Sequence, residues 1–199
     1  MKPVLTIAVP TFNNFPQLQS TIKSLIMHTD FPYKIVIVNN CVEEGENLAR
    51  MVGESNLGNV ISIINMDSNV GWMGAINAAL EVCDTDLFCM MNDDLLFPPN
   101  SNLFWRTLTS HFNFPNVGAV GPSSNFIMGV QNVFNLDIPS VCETGLLIGM
   151  LMVVRTQLLR DVGGLDETLP GGDDLDLSIR IKETGSVLIA DRTSYVHHI

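Results

Sequence analysis

A chain of 199 residues is long enough to bury a sizeable core and too short for two domains of ordinary size, so a single domain over 1–199 is expected. With 46% hydrophobic and 16% charged residues it lacks the polar bias of disorder, and the apolar excess predicts strands buried on both faces. Ten Lys and Arg against 21 Asp and Glu give a formal charge of −11, which repels nucleic acid, anionic lipid and also a nucleotide diphosphate; that last ligand would need a divalent cation held by carboxylates.

In chain order, short apolar or β-branched runs at 4–9, 34–38, 60–64 and 87–91 alternate with stretches at 16–27, 43–54, 73–82 and 102–112. In the latter, apolar residues recur at three- and four-residue steps. That alternation predicts an α/β fold with a mostly parallel sheet flanked by helices. Beyond Pro115 the rhythm changes: a strand at 117–120, a loop rich in Gly, Pro, Ser and Asn, an apolar run at 146–154 read as a strand at the sheet edge, a helix over 173–182 and a last strand at 187–190.

Cys41, Cys83, Cys89 and Cys142 are widely spaced without a C-x-x-C pair and read as reduced core thiols. After Met1-Lys2-Pro3 comes no apolar stretch long enough for a signal peptide or membrane span, so a cytoplasmic location is expected.

In an open parallel sheet, ligands bind outside the carboxyl ends of the strands. Here those ends deliver Pro10-Thr11-Phe12-Asn13-Asn14, Asn39-Asn40, Asn65 to Asn69, and Asn92-Asp93-Asp94 to one rim. Capping of the following helices accounts for single Asn, Asp or Ser residues at such junctions. It does not account for adjacent carboxylates at Asp93 and Asp94, which repel unless a cation sits beside them. Mn²⁺ or Mg²⁺ takes oxygen ligands and is commonly completed by phosphates, and His197 or His198 offers an imidazole; as a pair they also suit an exposed surface.

Asn69-Val70-Gly71-Trp72-Met73-Gly74-Ala75-Ile76-Asn77 places glycines at a strand-to-helix turn, where phosphate can approach backbone N–H groups. It lacks both the G-x-G-x-x-G order of a dinucleotide fold and the Lys of a P-loop. Two glycine turns at 163–167 and 171–176 carry five acids. Asp176 suits the helix dipole, whereas Asp174, on a glycine-rich loop opposite a metal site, suits a general base toward a hydroxyl.

Taken in order, these motifs resemble the family-2 glycosyltransferases over 6–198. Ile7-Ala8-Val9-Pro10-Thr11-Phe12-Asn13 is similar to the opening P-T-Y-N turn, Val38-Asn39-Asn40 to V-D-N, Asn92-Asp93-Asp94 to D-x-D, and Gly163-Gly164-Leu165-Asp166-Glu167 to G-G-F-D-E. Gly172-Asp173-Asp174-Leu175-Asp176-Leu177 through Arg180 is similar to G-E-D-x-D-L-x-x-R.

The resemblance implies a GT-A (Rossmann-like) fold and inverting, metal-dependent transfer of a sugar from a nucleotide diphosphate sugar, with UDP-hexose such as UDP-glucose favoured, to a carbohydrate or other acceptor hydroxyl. It places Pro10, Thr11, Asn13 and Asn39 at the base and ribose, Asn69, Gly71 and Asn77 near the nucleotide, and Asn92 and Asp93 at the donor. Asp94 with His197 or His198 would hold Mn²⁺ or Mg²⁺, and Asp174 would be the base. Asn replaces the usual Asp at 39 and 92, which keeps open a non-catalytic nucleotide-sugar-binding module. A sugar-nucleotide pyrophosphorylase would need a basic, glycine-rich loop where residues 10–14 have neither Gly nor Lys.

Overall fold

The computed structural model describes residues 4–54 and 58–199; the expectation about a leader at residues 1–3 lies outside them. Four parallel strands form where the apolar runs predict: β1 (Leu5–Thr11), β2 (Tyr33–Asn39), β3 (Ile61–Asn65) and β4 (Leu87–Met91). They pair in the order β3-β2-β1-β4. Helices α1 (Phe15–His28), α2 (Gly45–Glu54), α3 (Gly71–Glu81) and α4 (Phe104–Ser110) follow β1 to β4 in turn, although a two-residue strand precedes α4. In α1, Pro16 occupies the first turn, where its missing N–H costs nothing, and Leu18, Ile22 and Leu25 form one buried face.

The remaining elements are β5 (Leu95–Leu96), β6 (Val117–Ser124), β7 (Val141–Thr144), β8 (Leu151–Arg155), α5 (Thr156–Asp161), α6 (Asp173–Glu183) and β9 (Val187–His198). The sheet continues as β4-β8-β6-β9-β5, with β7 also on β9. Strands β6 and β9 are parallel, while β8 runs antiparallel to β4 and β6.

Two expectations change here. The run at 146–154 is not an edge strand: β8 begins at Leu151 and lies between β4 and β6. Residues before it take side-chain partners instead of a ladder, because Leu147 N–H donates to Ser178 Oγ at 3.2 Å and Ile148 N–H to Gln131 Oε1 at 2.8 Å. The last strand runs to His198, since β6, β7 and β5 all supply it with backbone partners, which outweighs the polar character of its second half.

Alternation along the strands sends side chains to two cores. Ile7, Val9, Ile35, Ile37, Cys89 and Val153 meet Leu18 of α1, Leu48 of α2 and Trp105 of α4 on one face. Ala8, Val36, Val38, Phe88, Met90 and Met152 meet Ile76 of α3, Leu159 of α5 and Leu177 of α6 on the other. All four cysteines are unpaired; three are buried and Cys142 is half-buried. No helix among the described residues is long and apolar enough to cross a membrane.

Packing is tight on three sides of Gly118 in β6, where an added Cβ would meet Ile181 Cγ2 at 2.8 Å, Ser186 Cβ at 2.8 Å and Leu158 Cδ2 at 2.9 Å. Gly118→Ala should therefore cost about 1–3 kcal/mol by overpacking. Urea unfolding is expected to show a lower midpoint with an unchanged m-value.

Candidate nucleotide and metal site

At the carboxyl rim of the parallel strands opens a cleft of about 360 Å³. One wall is the turn after β1, with Pro10, Thr11, Phe12, Asn13 and Asn14; Asn40 follows β2; Asn69, Gly71 and Trp72 open α3; Asp93 follows β4. Asn13 has φ 52 and Gly71 φ 75. Both sit in the left-handed region, which Gly enters freely and Asn more readily than other side chains. The Gly71 N–H donates to Asn69 Oδ1 at 2.8 Å, and Asn40 Nδ2 to the Gly71 carbonyl at 3.2 Å, so the β2 end and the start of α3 hold one another.

Of the residues expected at the donor, Pro10, Thr11, Asn13, Asn69, Gly71 and Asp93 line this cleft, whereas Asn39, Asn77 and Asn92 do not. Asn39 is fully buried beneath the rim. Its Nδ2 donates to Asn65 Oδ1 at 2.9 Å and its Oδ1 accepts from Cys41 N–H at 3.0 Å, so the amide is spent on joining strand ends.

Asn77 faces away, toward the loop after α5. Its Nδ2 donates to the Leu165 carbonyl at 2.9 Å and to Glu167 Oε1 at 2.7 Å, and its Oδ1 accepts from Leu165 N–H at 2.9 Å. Asn92 continues the strand ladder, its N–H donating to the Met150 carbonyl at 2.8 Å. Sequence reasoning put Phe12, Asn14 and Asn40 on the rim and Trp72 at the strand-to-helix turn but gave none of them a role at the donor; all four line the cleft.

The two carboxylates after β4 divide their work. Asp93 accepts from Thr11 Oγ1 at 2.7 Å and Asn14 Nδ2 at 2.9 Å, while its carbonyl accepts from Thr21 Oγ1 at 2.8 Å. Burial pushes its pKa up; the Thr11 and Asn14 hydrogen bonds pull it down, and Asp94 adds to the rise. The ionised form is thus disfavoured on folding. The stability contribution is full below the ordinary Asp pKa and is lost as pH rises through the raised value, so a cation at the site would offset that cost.

Asp94 stays open. Its Oδ1 is buried and makes no hydrogen bond, although His198 Nε2 lies 3.2 Å away, out of the alignment a hydrogen bond needs. Antiparallel pairing of Leu95 with His198 and Leu96 with His197 brings the histidines here. Strand alternation then separates them. His198 faces Asp94, whereas alternation turns His197 to the opposite, exposed side, where its Nδ1 lies 3.0 Å from Tyr195 Oη, so the two rings do not converge on Asp94.

An orphaned carboxylate oxygen facing an imidazole nitrogen fits a hard divalent cation such as Mn²⁺ or Mg²⁺. No group of three or more His, Cys, Asp or Glu able to hold a metal occurs among the described residues, so two protein ligands would leave positions for phosphate oxygens and water.

Asp174 opens α6. Its Oδ1 accepts from Leu175 N–H at 2.8 Å, and its Oδ2 lies 3.4 Å from the Gly149 N–H. A Cβ on Gly149 would sit 3.4 Å from the Trp72 ring and 3.6 Å from Asp174 Cβ, so Trp72, Gly149 and Asp174 form one packed row from the cleft to α6. Burial raises the Asp173 pKa, helped by the Asp174 and Asp176 charges. Asp176 is occupied: Arg180 binds it at 2.5 Å and donates to the carbonyls of Val162 at 2.6 Å and Gly164 at 2.8 Å.

Residues 6–138 match the family model described as glycosyl transferase family 2. A pre-mycofactocin glycosyltransferase of Mycobacterium tuberculosis is 24% identical, the alignment covering 98% of this chain and 42% of that protein, so the chain spans less than half of that relative. A mannosyltransferase from Pyrobaculum calidifontis, in complex with GDP-Man and Mn²⁺, superposes with a TM-score of 0.80 at 20% identity, covering 100% of this chain and 57% of that one. GalNAc-T7 with UDP, GalNAc and Mn²⁺ gives a TM-score of 0.82 at 13% identity, covering 100% and 44%. The fold is thus the GT-A fold.

Asn77→Ala should leave Leu165 N–H and C=O without their partner and lower stability by about 1–3 kcal/mol. Because Asn77 stands outside the cleft, binding of UDP or GDP with Mn²⁺, measured by calorimetry on the folded variant, is expected within about twofold of wild type.

Proposed function

This chain belongs to glycosyl transferase family 2, and from that premise we propose that it transfers a sugar, with inversion, from a nucleotide diphosphate sugar to an acceptor hydroxyl. The observation that carries the reading is the open Asp94 Oδ1 facing His198 Nε2, one residue beyond the carboxylate that lines the cleft. In a protein of charge −11, a diphosphate needs such a cation-binding pair beside it.

The nucleoside occupies the cleft between the turn after β1 and the start of α3, where Asn13, Asn14 and Asn40 offer amide donors and acceptors. Trp72 and Phe12 supply apolar surface there. A UDP-hexose such as UDP-glucose is the donor class we favour. The Asp94 and His198 side chains hold Mn²⁺ or Mg²⁺, which when bound neutralises charge on the departing diphosphate.

Asp174 is the general base. It takes the proton of the acceptor hydroxyl as that oxygen attacks the anomeric carbon. The Trp72, Gly149 and Asp174 row supports this role, since it runs from the cleft to the carboxylate. Residues 1–199 form a single catalytic domain on this reading, with the acceptor a carbohydrate or other hydroxyl compound.

Asp174→Asn is expected to lower transfer about 10²- to 10⁴-fold, the usual worth of a positioned base, while donor affinity stays near wild type. A thermal-shift screen of nucleotide sugars with Mn²⁺ identifies the donor, since a ligand of the folded state raises its stability. Undiminished turnover in the variant would refute the assignment, and donor binding without any transfer by the wild type would favour a non-catalytic module.

For the metal pair, Asp94→Ala and His198→Ala should each abolish the Mn²⁺-dependent part of nucleotide binding, and His197→Ala should not. Calorimetry with and without chelator reads the difference; equal loss on replacing His197 would overturn the pairing.

A further inference from the structure

His198 is held from a side unrelated to Asp94. Beyond the last rung of the β6–β9 ladder, where Ser124 pairs with Val196, the backbone of β6 gives way to a loop. There the side-chain amide of Asn125 takes over. His198 N–H donates to Asn125 Oδ1 at 2.7 Å, and Asn125 Nδ2 donates to the His198 carbonyl at 3.0 Å, the two bonds a strand residue would make.

The next residue acts on the ring. His198 Nδ1 lies 3.3 Å from the Phe126 carbonyl, and the Phe126 ring meets the imidazole edge to face with centroids 6.4 Å apart. A carbonyl only accepts, so in that bond Nδ1 carries the hydrogen and the neutral ring leaves its lone pair on Nε2. Nε2 is the atom 3.2 Å from Asp94 Oδ1. A metal-binding histidine is commonly fixed in this way, by its second nitrogen donating to a carbonyl.

We propose that Asn125, with the Phe126 carbonyl, is a positioning clamp that presents His198 Nε2 as a metal ligand beside Asp94. This rests on the metal pair proposed above. Asn125 does not line the nucleotide cleft; it works through His198. His197 meets a hydroxyl and not a backbone carbonyl, its Nδ1 lying 3.0 Å from Tyr195 Oη, and alternation turns it away from Asp94. The alternative is that Asn125 merely ties a loop to β9, in which case its loss would lower stability and leave the ring unaffected.

The test uses the full chain with Mn²⁺ titrated in the presence of UDP and, separately, GDP, free ion being read by electron paramagnetic resonance. Asn125→Ala should weaken Mn²⁺ binding about 10- to 100-fold, the usual effect of removing such outer support. In parallel, ¹⁵N spectra of the metal-free protein, assigned with His198→Ala, should show the Nδ1–H tautomer in wild type and its loss in the variant. A purely structural tie would not move that signature. Asn125→Ser, which keeps a small polar group, is read the same way if the alanine variant does not fold.

Wild-type affinity together with a retained tautomer in the variant would overturn the clamp while leaving the metal pair standing. Absence of Mn²⁺-dependent binding in the wild type with both nucleotides would overturn the metal pair itself, and the clamp with it.

Discussion

The pairing of β9 with β5 is the contact on which the candidate site depends. Without it, Asp94 would end a parallel strand with no imidazole near it, because the histidines lie more than a hundred residues further along the chain. A one-residue slip in this ladder would exchange His198 for His197 and turn the wrong ring toward Asp94. Much of β9 serves to fix that register. Asp191, almost fully buried, pairs with His111 Nε2 at 2.6 Å, and Arg192 donates to the carbonyls of Ile138 at 2.5 Å and Asn135 at 2.6 Å. Charged residues in the middle of a strand thus act as pins on both sides of it, and the polar half of β9 is ordered by partners and not by an apolar face.

Division of labour between Asp93 and Asp94 follows from the same geometry. Two adjacent carboxylates cannot share one role when their side chains leave the backbone on different sides. Asp93 turns toward the β1 turn, where Thr11 and Asn14 use both of its oxygens. Asp94 turns toward β9, where no donor is aligned with Oδ1. The first carboxylate shapes the cleft, and the second keeps one oxygen without a hydrogen bond. Burial raises the pKa of Asp93, and the neighbouring Asp94 charge adds a smaller push in the same direction.

The sheet and its helices were legible because their signals are local: apolar runs of five residues between amphipathic helices have few other solutions. What was not legible depends on pairing at a distance. Strand β5 is two residues long and β7 is exposed on alternate residues, so neither announces itself; each exists because β9 offers a free edge. The apolar stretch at 146–150 looks like more of β8, yet Ser178 and Gln131 provide its hydrogen bonds from elsewhere. At the site, residue type identified the strand ends but not the direction of each side chain. Asn39 and Asn77 have the chemistry of ligand-binding amides and are both consumed by the scaffold. Direction along a strand can be counted from alternation once a register is known, and for His197 and His198 the register was the missing fact.

The carboxylates at the acidic start of α6 have different partners, which bears on the base proposed there. Asp176 is tied to Arg180, whose guanidinium also grips the loop at Val162 and Gly164. Asn77 holds the same loop at Leu165 from the side of α3. The segment leading into α6 is therefore clamped between two helices, and the N-terminus of α6 is fixed relative to the start of α3, which borders the cleft. Asp174 inherits that fixed position, beside Gly149 and Trp72. A Cβ at 149 would make ordinary van der Waals contact with both, so this position joins the Asp174 side chain to the cleft wall at packing distance. In the proposed transfer, proton removal would accompany departure of the diphosphate, and a rigid link between the groups proposed for each would serve that coincidence.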